Sequence, residues 1–153
     1  MTVKQSAGLL MYRRRDGRLE VLLAHPGGPF WERRHEGAWT IPKGGIHDGE
    51  RASESAVREF REETGFEPAG PYLALGQIVQ RSCKVVHAWA FEGDCDPSAL
   101  VSMPTTVEWP PRSGRAIVVP EIDRVAFFPI DEARPLINQA QAALLDRLVR
   151  ALR

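Results

Sequence analysis

The run from Gly44 to Phe66, GGIHDGERASESAVREFREETGF, constrains this chain more than any other segment. Ala52, Ala56, Val57, Phe60 and Thr64 recur at three- and four-residue steps, the inward stripe of an amphipathic helix. Gly65 then supplies the left-handed conformation that commonly closes a helix, so the spacing predicts a helix from Ala52 to Thr64. On it Glu59 and Glu63 are four residues apart with Glu62 beside them, which brings their Cβ atoms to within about 5 to 6 Å of one another. Three ionised carboxylates on one exposed face repel, which destabilises the helix and raises at least one pKa unless a cation is held between them. A hard divalent ion such as Mg²⁺ accepts that set of oxygens. Arg58 can pair with Glu54 or Glu62, each four residues away, and so orient the ligands. A bare acidic run is ordinarily a solvated face; the fixed spacing and the loop before it favour the metal reading.

That loop, TIPKGGIHDGE, supplies what the helix lacks. Gly44 and Gly45 let the backbone approach an anion or a metal, and Lys43 offers a point charge to a phosphate. Glu50 supports the cluster rather than leading it. Taken alone, Pro42-Lys43-Gly44-Gly45 reads as an ordinary turn.

The 153 residues, 43% of them hydrophobic, predict one domain over 1–153 with its own core. A net charge of zero from 20 basic and 20 acidic side chains gives no general attraction to nucleic acid or to a membrane surface. Phosphate recognition therefore has to be local, and the expected partner is a small-molecule nucleotide or polyphosphate. The N-terminal MTVKQSAGLLMYRRR lacks the parts of a signal peptide, and no run approaches about 18 apolar residues, so a cytoplasmic location is the expectation. Cys83 and Cys95 have the spacing of neither a zinc site nor a redox motif and read as free thiols. His25, His35 and His47 show no ligand spacing.

Residues 3–13 and 19–24 flank Asp16-Gly17 as a β-hairpin, with Arg13, Arg14 and Arg15 as a solvated edge. Residues 72–80 and 84–91 give a second strand pair. There Val85, His87, Trp89 and Phe91 share one face and Val86, Ala88 and Ala90 the other, which implies a sheet covered on both sides. A strand near Arg124 to Phe128 and a helix from Gln139 to Leu152, buried through Ala143, Leu144, Leu148, Val149 and Leu152, complete a mixed sheet between helices. The stretch 93–122, with five prolines, is too long for a plain connector and is assigned to the substrate site. In the irregular loop from His25 to Gly37, Phe30 and Trp31 can stack on a base or anchor the loop in the core.

The pattern G-x5-E-x7-R-E-x-x-E-E-x-G, complete here at all seven positions, resembles the signature of the Nudix hydrolases. Phe60 and Phe66 stand where that pattern usually carries a bulky aliphatic residue. The resemblance implies an α/β fold, an αβα sandwich with a mixed central β-sheet, and cleavage of a diphosphate joined to another group. It implies Mg²⁺, with Mn²⁺ as a substitute, held by the Gly44 carbonyl, Glu59, Glu62 and Glu63, with Arg58, Glu59 and Glu62 in catalytic roles. A carboxylate outside this segment commonly completes such sites or acts as base. Glu121 is the candidate, and Glu108, Asp123 and Glu92 compete with it. The combination of Ser6–Gly8, the PKGG loop and CKVVHAWAFEG looks like the dinucleoside polyphosphate and diphosphoinositol polyphosphate hydrolases, in which basic side chains after the signature contact the phosphate chain. Lys84 and His87 hold similar positions, although strict alternation sets them on opposite faces, and His87 alternatively reads as a core histidine. With Lys43 and Trp31 they form the expected substrate-binding set. The expected substrate is a dinucleoside polyphosphate such as diadenosine tetraphosphate; a nucleoside triphosphate, a nucleotide sugar or a diphosphoinositol polyphosphate is the alternative. A non-catalytic nucleotide-binding regulator would have no need to retain Glu59, Glu62 and Glu63 together.

Overall fold

Alternation along the first strand sets the layers. In β1 (Lys4–Arg15), Leu10 and Tyr12 enter one core while Ala7, Leu9 and Met11 enter another. A strand whose successive side chains are apolar in both directions can lie only in the middle of a sandwich. The computed structural model describes residues 3–81 and 83–153. β1 turns at Asp16 and Gly17, both with positive φ (53° and 75°), into antiparallel β2 (Arg18–Pro26). This is the conformation that two-residue hairpin loops favour.

The remaining elements are β3 (Lys43–Gly45), α1 (Ala52–Thr64), β4 (Leu73–Gln80), β5 (Lys84–Glu92), β6 (Pro104–Glu108), β7 (Ala116–Pro120), β8 (Ile122–Pro129), α2 (Ile130–Leu136) and α3 (Ala142–Ala151). The main sheet runs β4-β5-β1-β2-β8, with β3 paired to β1. β1 and β5 are parallel and the other pairings antiparallel, so the sheet is mixed as expected. One face packs on α1 through Leu9, Leu22, Phe60, Phe91 and Val125. The opposite face packs on α2 and α3 through Leu10, Val21, Leu23, Val86, Leu144 and Leu148.

Several expectations change in detail. The 93–122 stretch contains a hairpin of its own, β6 and β7, which form a separate two-stranded sheet. Its covered apolar positions, Val107, Ile117 and Val119, are too few for a periodic signal. Arg13 is not a solvated edge residue: it is largely buried, bonds Glu20 (2.8 Å) and Asp94 (2.7 Å), and lies 3.6 Å from the centre of the Phe127 ring. In α3 the buried stripe uses Leu145 in place of Ala143, which is exposed. Cys83 and Cys95 are free thiols. Among the described residues no helix is long and apolar enough to cross a membrane.

Candidate active site

Helix α1 runs from Ala52 to Thr64, and Gly65 (φ 77°) closes it with its N–H donating to the Arg61 carbonyl. Its inward face is rotated from the expected stripe. Ser55, Ala56, Glu59, Phe60, Glu63 and Thr64 are buried, while Ala52 and Val57 are only partly covered. Glu59 and Glu63 are therefore 8% and 3% exposed rather than lying on an open face, and the carboxylates sit in the crevice between α1 and β3. Burial makes their partners decisive, because a charge removed from water has to be compensated.

Arg58 compensates one part of the cluster. Its Nη1 donates to Glu59 (2.8 Å) and Glu62 (3.0 Å), its Nε to Glu50 (2.9 Å), and its Nη2 to Glu50 (3.1 Å) and the Gly45 carbonyl (2.9 Å). The expected Glu54 alternative is not used, since Glu54 instead accepts from the Arg51 N–H in a capping box at the start of α1. Glu50, eight residues away, takes its place because the loop folds back onto the helix. The Arg58 guanidinium beside Glu50 holds that carboxyl at about 2, helped by the His47 N–H. Ser55 Oγ adds a bond to the Gly45 carbonyl (3.3 Å).

Glu63 has no such cation bound to it. It accepts the Lys43 N–H (3.2 Å), and burial, then Glu121, then Glu59 push its carboxyl well above the usual range, against the pull of Lys43. Glu121, though an exposed residue, is itself raised, first by partial desolvation and then by Glu59 and Glu62. Lys43 is pushed down to about 8, mainly by burial and by the neighbouring Lys84, and is pulled back by Glu63 and Glu121. These shifts put Lys43, Lys84, Glu59, Glu62, Glu63 and Glu121 in one electrostatic neighbourhood. Gly44 lies at its centre: a Cβ built there would overlap the Glu59 carboxylate, so only glycine lets β3 pass so close to α1.

Glu121 is held by main chain at both its N–H and its carbonyl, and the segment it bonds is itself tied to α1. The Met103 N–H donates to the Glu62 carbonyl, the Glu121 N–H to the Met103 carbonyl, and the Gly27 N–H to the Glu121 carbonyl, each at 3.0 Å. Ser102 Oγ accepts from the Ile122 N–H (2.9 Å) and the Val101 N–H donates to the Thr64 carbonyl (3.0 Å). This stitching by Val101–Met103 is invisible in sequence, since main-chain bonds of an irregular segment leave no residue pattern. The acids named beside Glu121 as alternatives stand elsewhere in the fold. Glu108 accepts the Arg112 and Gly114 N–H groups in the β6–β7 turn, Asp123 binds His25, and Glu92 lies opposite Tyr12 on β1.

Two expected substrate-binding residues are not brought to this cluster. His87 is half-buried and shares a 2.7 Å hydrogen bond with Gln5. It lies on the opposite face of β5 from Lys84, as strict alternation requires. Trp31 stands edge-on to Phe30 (4.9 Å), whose ring is covered by the Arg34 guanidinium. Lys84 pairs in register with Gln80, which lines a cavity of about 370 Å³ together with Gly37, Arg81, Asn138, Gln139 and Ala140.

The donor chemistry fits a hard divalent cation, because Glu59, Glu62, Glu63 and Glu121 supply several hard carboxylate oxygens and the Gly44 backbone is pressed against Glu59. Among the described residues, however, no three side chains converge tightly enough to hold one ion as they stand. Arg58 accounts for this by drawing Glu59 and Glu62 to itself, so that seating an ion would require those two carboxylates to turn.

A family model described as a NUDIX domain matches residues 3–148. An RNA pyrophosphohydrolase of Pseudoalteromonas translucida is 39% identical over 49 residues, 31% of this chain and 28% of that protein. The asymmetrical bis(5'-nucleosyl)-tetraphosphatase of Caenorhabditis elegans is 39% identical over 64 residues, 42% of each. The matched stretches thus span well under half the length of these relatives. Among solved structures, an Ap4A hydrolase binary complex from C. elegans superposes with a TM-score of 0.68 at 21% identity, covering 96% of this chain and 97% of that one. The NUDIX domain of Shewanella oneidensis NrtR complexed with ADP ribose gives 0.66 at 16% identity, covering 100% and 90%.

Proposed function

This chain belongs to the Nudix family, and from that premise we propose that it is a Mg²⁺-dependent hydrolase of a diphosphate linkage in a nucleotide, with a dinucleoside polyphosphate such as diadenosine tetraphosphate as its preferred substrate. The observation that carries the reading is the pair Lys43 and Lys84, adjacent to each other and next to the Glu59–Glu63–Glu121 carboxylates. A long phosphate chain carries charge beyond the phosphates at the acidic cluster, and two neighbouring ammonium groups offer it charge-assisted hydrogen bonds. A two-phosphate nucleotide sugar uses fewer of them.

Glu59, Glu62, Glu63 and the Gly44 carbonyl are the groups that would hold Mg²⁺, or Mn²⁺ in its place. When bound, such an ion neutralises phosphate charge and lowers the pKa of an attacking water. The chain's own contribution is position. Lys43 and Lys84 fix the phosphate chain, Arg58 hands carboxylates over to the site while keeping Glu50 and the Gly45 carbonyl in place, and Glu121 accepts the proton of the water. Glu121 suits that task because partial desolvation and two neighbouring carboxylates raise its basicity while the residue stays exposed to solvent. The cavity beside Gln80 and Arg81 has room for a nucleoside at the end of the chain. Retention of all three α1 glutamates in one crevice argues against a binder without turnover.

The similarity to RNA pyrophosphohydrolases favours a second reading, a 5'-triphosphorylated RNA end as substrate. The test compares kcat/KM for diadenosine tetraphosphate, ATP, ADP-ribose, a diphosphoinositol phosphate and a 5'-triphosphorylated oligoribonucleotide at one Mg²⁺ concentration, and repeats it with Lys84→Ala and Glu121→Gln. The tetraphosphate should lead. Lys84→Ala should lower its value, and Glu121→Gln should cost at least about tenfold, within the usual range for loss of a general base. Leadership by ADP-ribose, or indifference of the tetraphosphate to Lys84→Ala, would overturn the polyphosphate reading.

A further inference from the structure

The segment His25-Pro26-Gly27-Gly28 leaves the end of β2 and grips the chain on either side of Glu121 at two points. At the first, the fully buried His25 places Nδ1 2.9 Å from Asp123 Oδ1 and Nε2 2.6 Å from the Arg34 carbonyl. Its ring is wedged against Trp39 (5.1 Å, edge-on) and His35 (5.2 Å), and Asp123 Oδ1 also lies 3.6 Å from Arg124 Nε. At the second, the Gly27 N–H donates to the Glu121 carbonyl (3.0 Å), and the Gly27 backbone lies so close to the Pro120 carbonyl that a Cβ would overlap it.

The register between β2 and β8 slips at this place. His25 faces Arg124 while Pro26 faces Ile122, so Asp123 is the extra residue of a β-bulge. Bulges re-aim neighbouring side chains, and Glu121 is two residues from this one. A buried imidazole is costly unless its nitrogens are partnered, and here one partner is the bulge and the other is the far side of the loop from His25 to Gly37. The ring is satisfied only when loop and bulge are both in their observed places. The bland alternative is a satisfied core histidine whose loss merely loosens the fold.

We propose that His25 is a positioning residue that aims the Glu121 carboxylate at the α1 cluster by locking the Asp123 bulge to the His25–Gly37 loop. This rests on the reading that Glu121 acts in hydrolysis. The link from His25 to the reaction runs through the direction of one carboxylate, so its loss should fall on kcat and should vanish when that carboxylate is already gone.

The experiment is a double-mutant cycle on diadenosine tetraphosphate hydrolysis with saturating Mg²⁺, using His25→Phe, Glu121→Gln and the pair, with Trp39→Phe as a control that disturbs the same packing. His25→Phe should lower kcat about tenfold and leave KM within about threefold, and should add less than about twofold in the Glu121→Gln background, the non-additivity expected of residues acting as a unit. Trp39→Phe should multiply with Glu121→Gln. His25→Gln, whose amide can still reach one acceptor, should recover part of the loss. Asp123→Asn keeps the shape and weakens the same link, so it replaces His25→Phe in the cycle should that variant fail to fold. Multiplicative behaviour of His25→Phe, or of Asp123→Asn in its place, overturns the positioning role while leaving the Glu121 assignment standing. Wild-type turnover in Glu121→Gln removes that assignment and the positioning role with it.

Discussion

Glu59 and Glu63 are one helical turn apart, both buried and both in the acidic cluster, yet their isosteric replacements should move stability in opposite directions when divalent ions are absent. Glu59 accepts from Arg58 at 2.8 Å in a site with little water. A hydrogen bond to a charged group contributes about 1.5 to 3 kcal/mol, and Gln retains an acceptor there but not the charge, so Glu59→Gln should cost about 1 kcal/mol. Glu63 accepts only the Lys43 N–H, which Gln can also serve, while Glu121 and Glu59 repel its charge. Relieving that repulsion should gain about 0.5 to 1 kcal/mol. In a domain of this size each kcal/mol moves Tm by roughly 2 to 4 °C, so the two variants should separate by several degrees. The measurement is urea and thermal unfolding in EDTA at pH 7.5, repeated at lower pH. Because the Glu63 carboxyl is raised in the folded state, it takes up its proton first as pH falls, and the gain from Gln should shrink as the wild-type charge disappears. Adding Mg²⁺ should stabilise the wild type and do so much less for either variant. Equal destabilisation by both substitutions in EDTA would refute the claim that Arg58 compensates one carboxylate and leaves the other strained.

Gly44→Ala should force the Glu59 carboxylate off Arg58, lowering stability by about 1 to 3 kcal/mol as overpacking does and abolishing turnover, both read on the purified variant. Glu50, held at about 2, contributes stability that is present above the ordinary carboxylate value and lost as pH falls towards 2, so Glu50→Gln should flatten the acid limb of an unfolding titration followed by tryptophan fluorescence. Arg147 donates to the Leu75 and Gln77 carbonyls along the edge strand β4 (2.9 Å each), so Arg147→Ala should leave that edge open and promote self-association, measured by sedimentation velocity.

Much of the site is legible in the sequence because it is local in the chain. The limits of α1, the glycine that ends it, the closeness of Glu59, Glu62 and Glu63, and the need for glycine at position 44 all lie within 22 residues, where helical periodicity and spacing speak directly. The two hydrophobic faces of β5 were legible for the same reason, since a period of two shows both sides of a strand at once. The rotation of α1 that buries Glu59 and Glu63 was not, because it depends on which neighbour the helix meets. The choice of Glu50 over Glu54 as the partner of Arg58 depends on a loop folding back. His87 shows the limit from the other side: its residue type and spacing suit phosphate binding, yet the face of β5 it occupies gives it to Gln5. Glu121 could be named from sequence only as one of four acids, and the main-chain bonds that fix its backbone, from its N–H to Met103 and from the Gly27 N–H to its carbonyl, join segments far apart in the chain. Side-chain chemistry and short-range period are written in the order of residues, whereas the burial of a charge and the aim of a distant carboxylate arise only when segments far apart in the chain compete for the same space and the same hydrogen bonds.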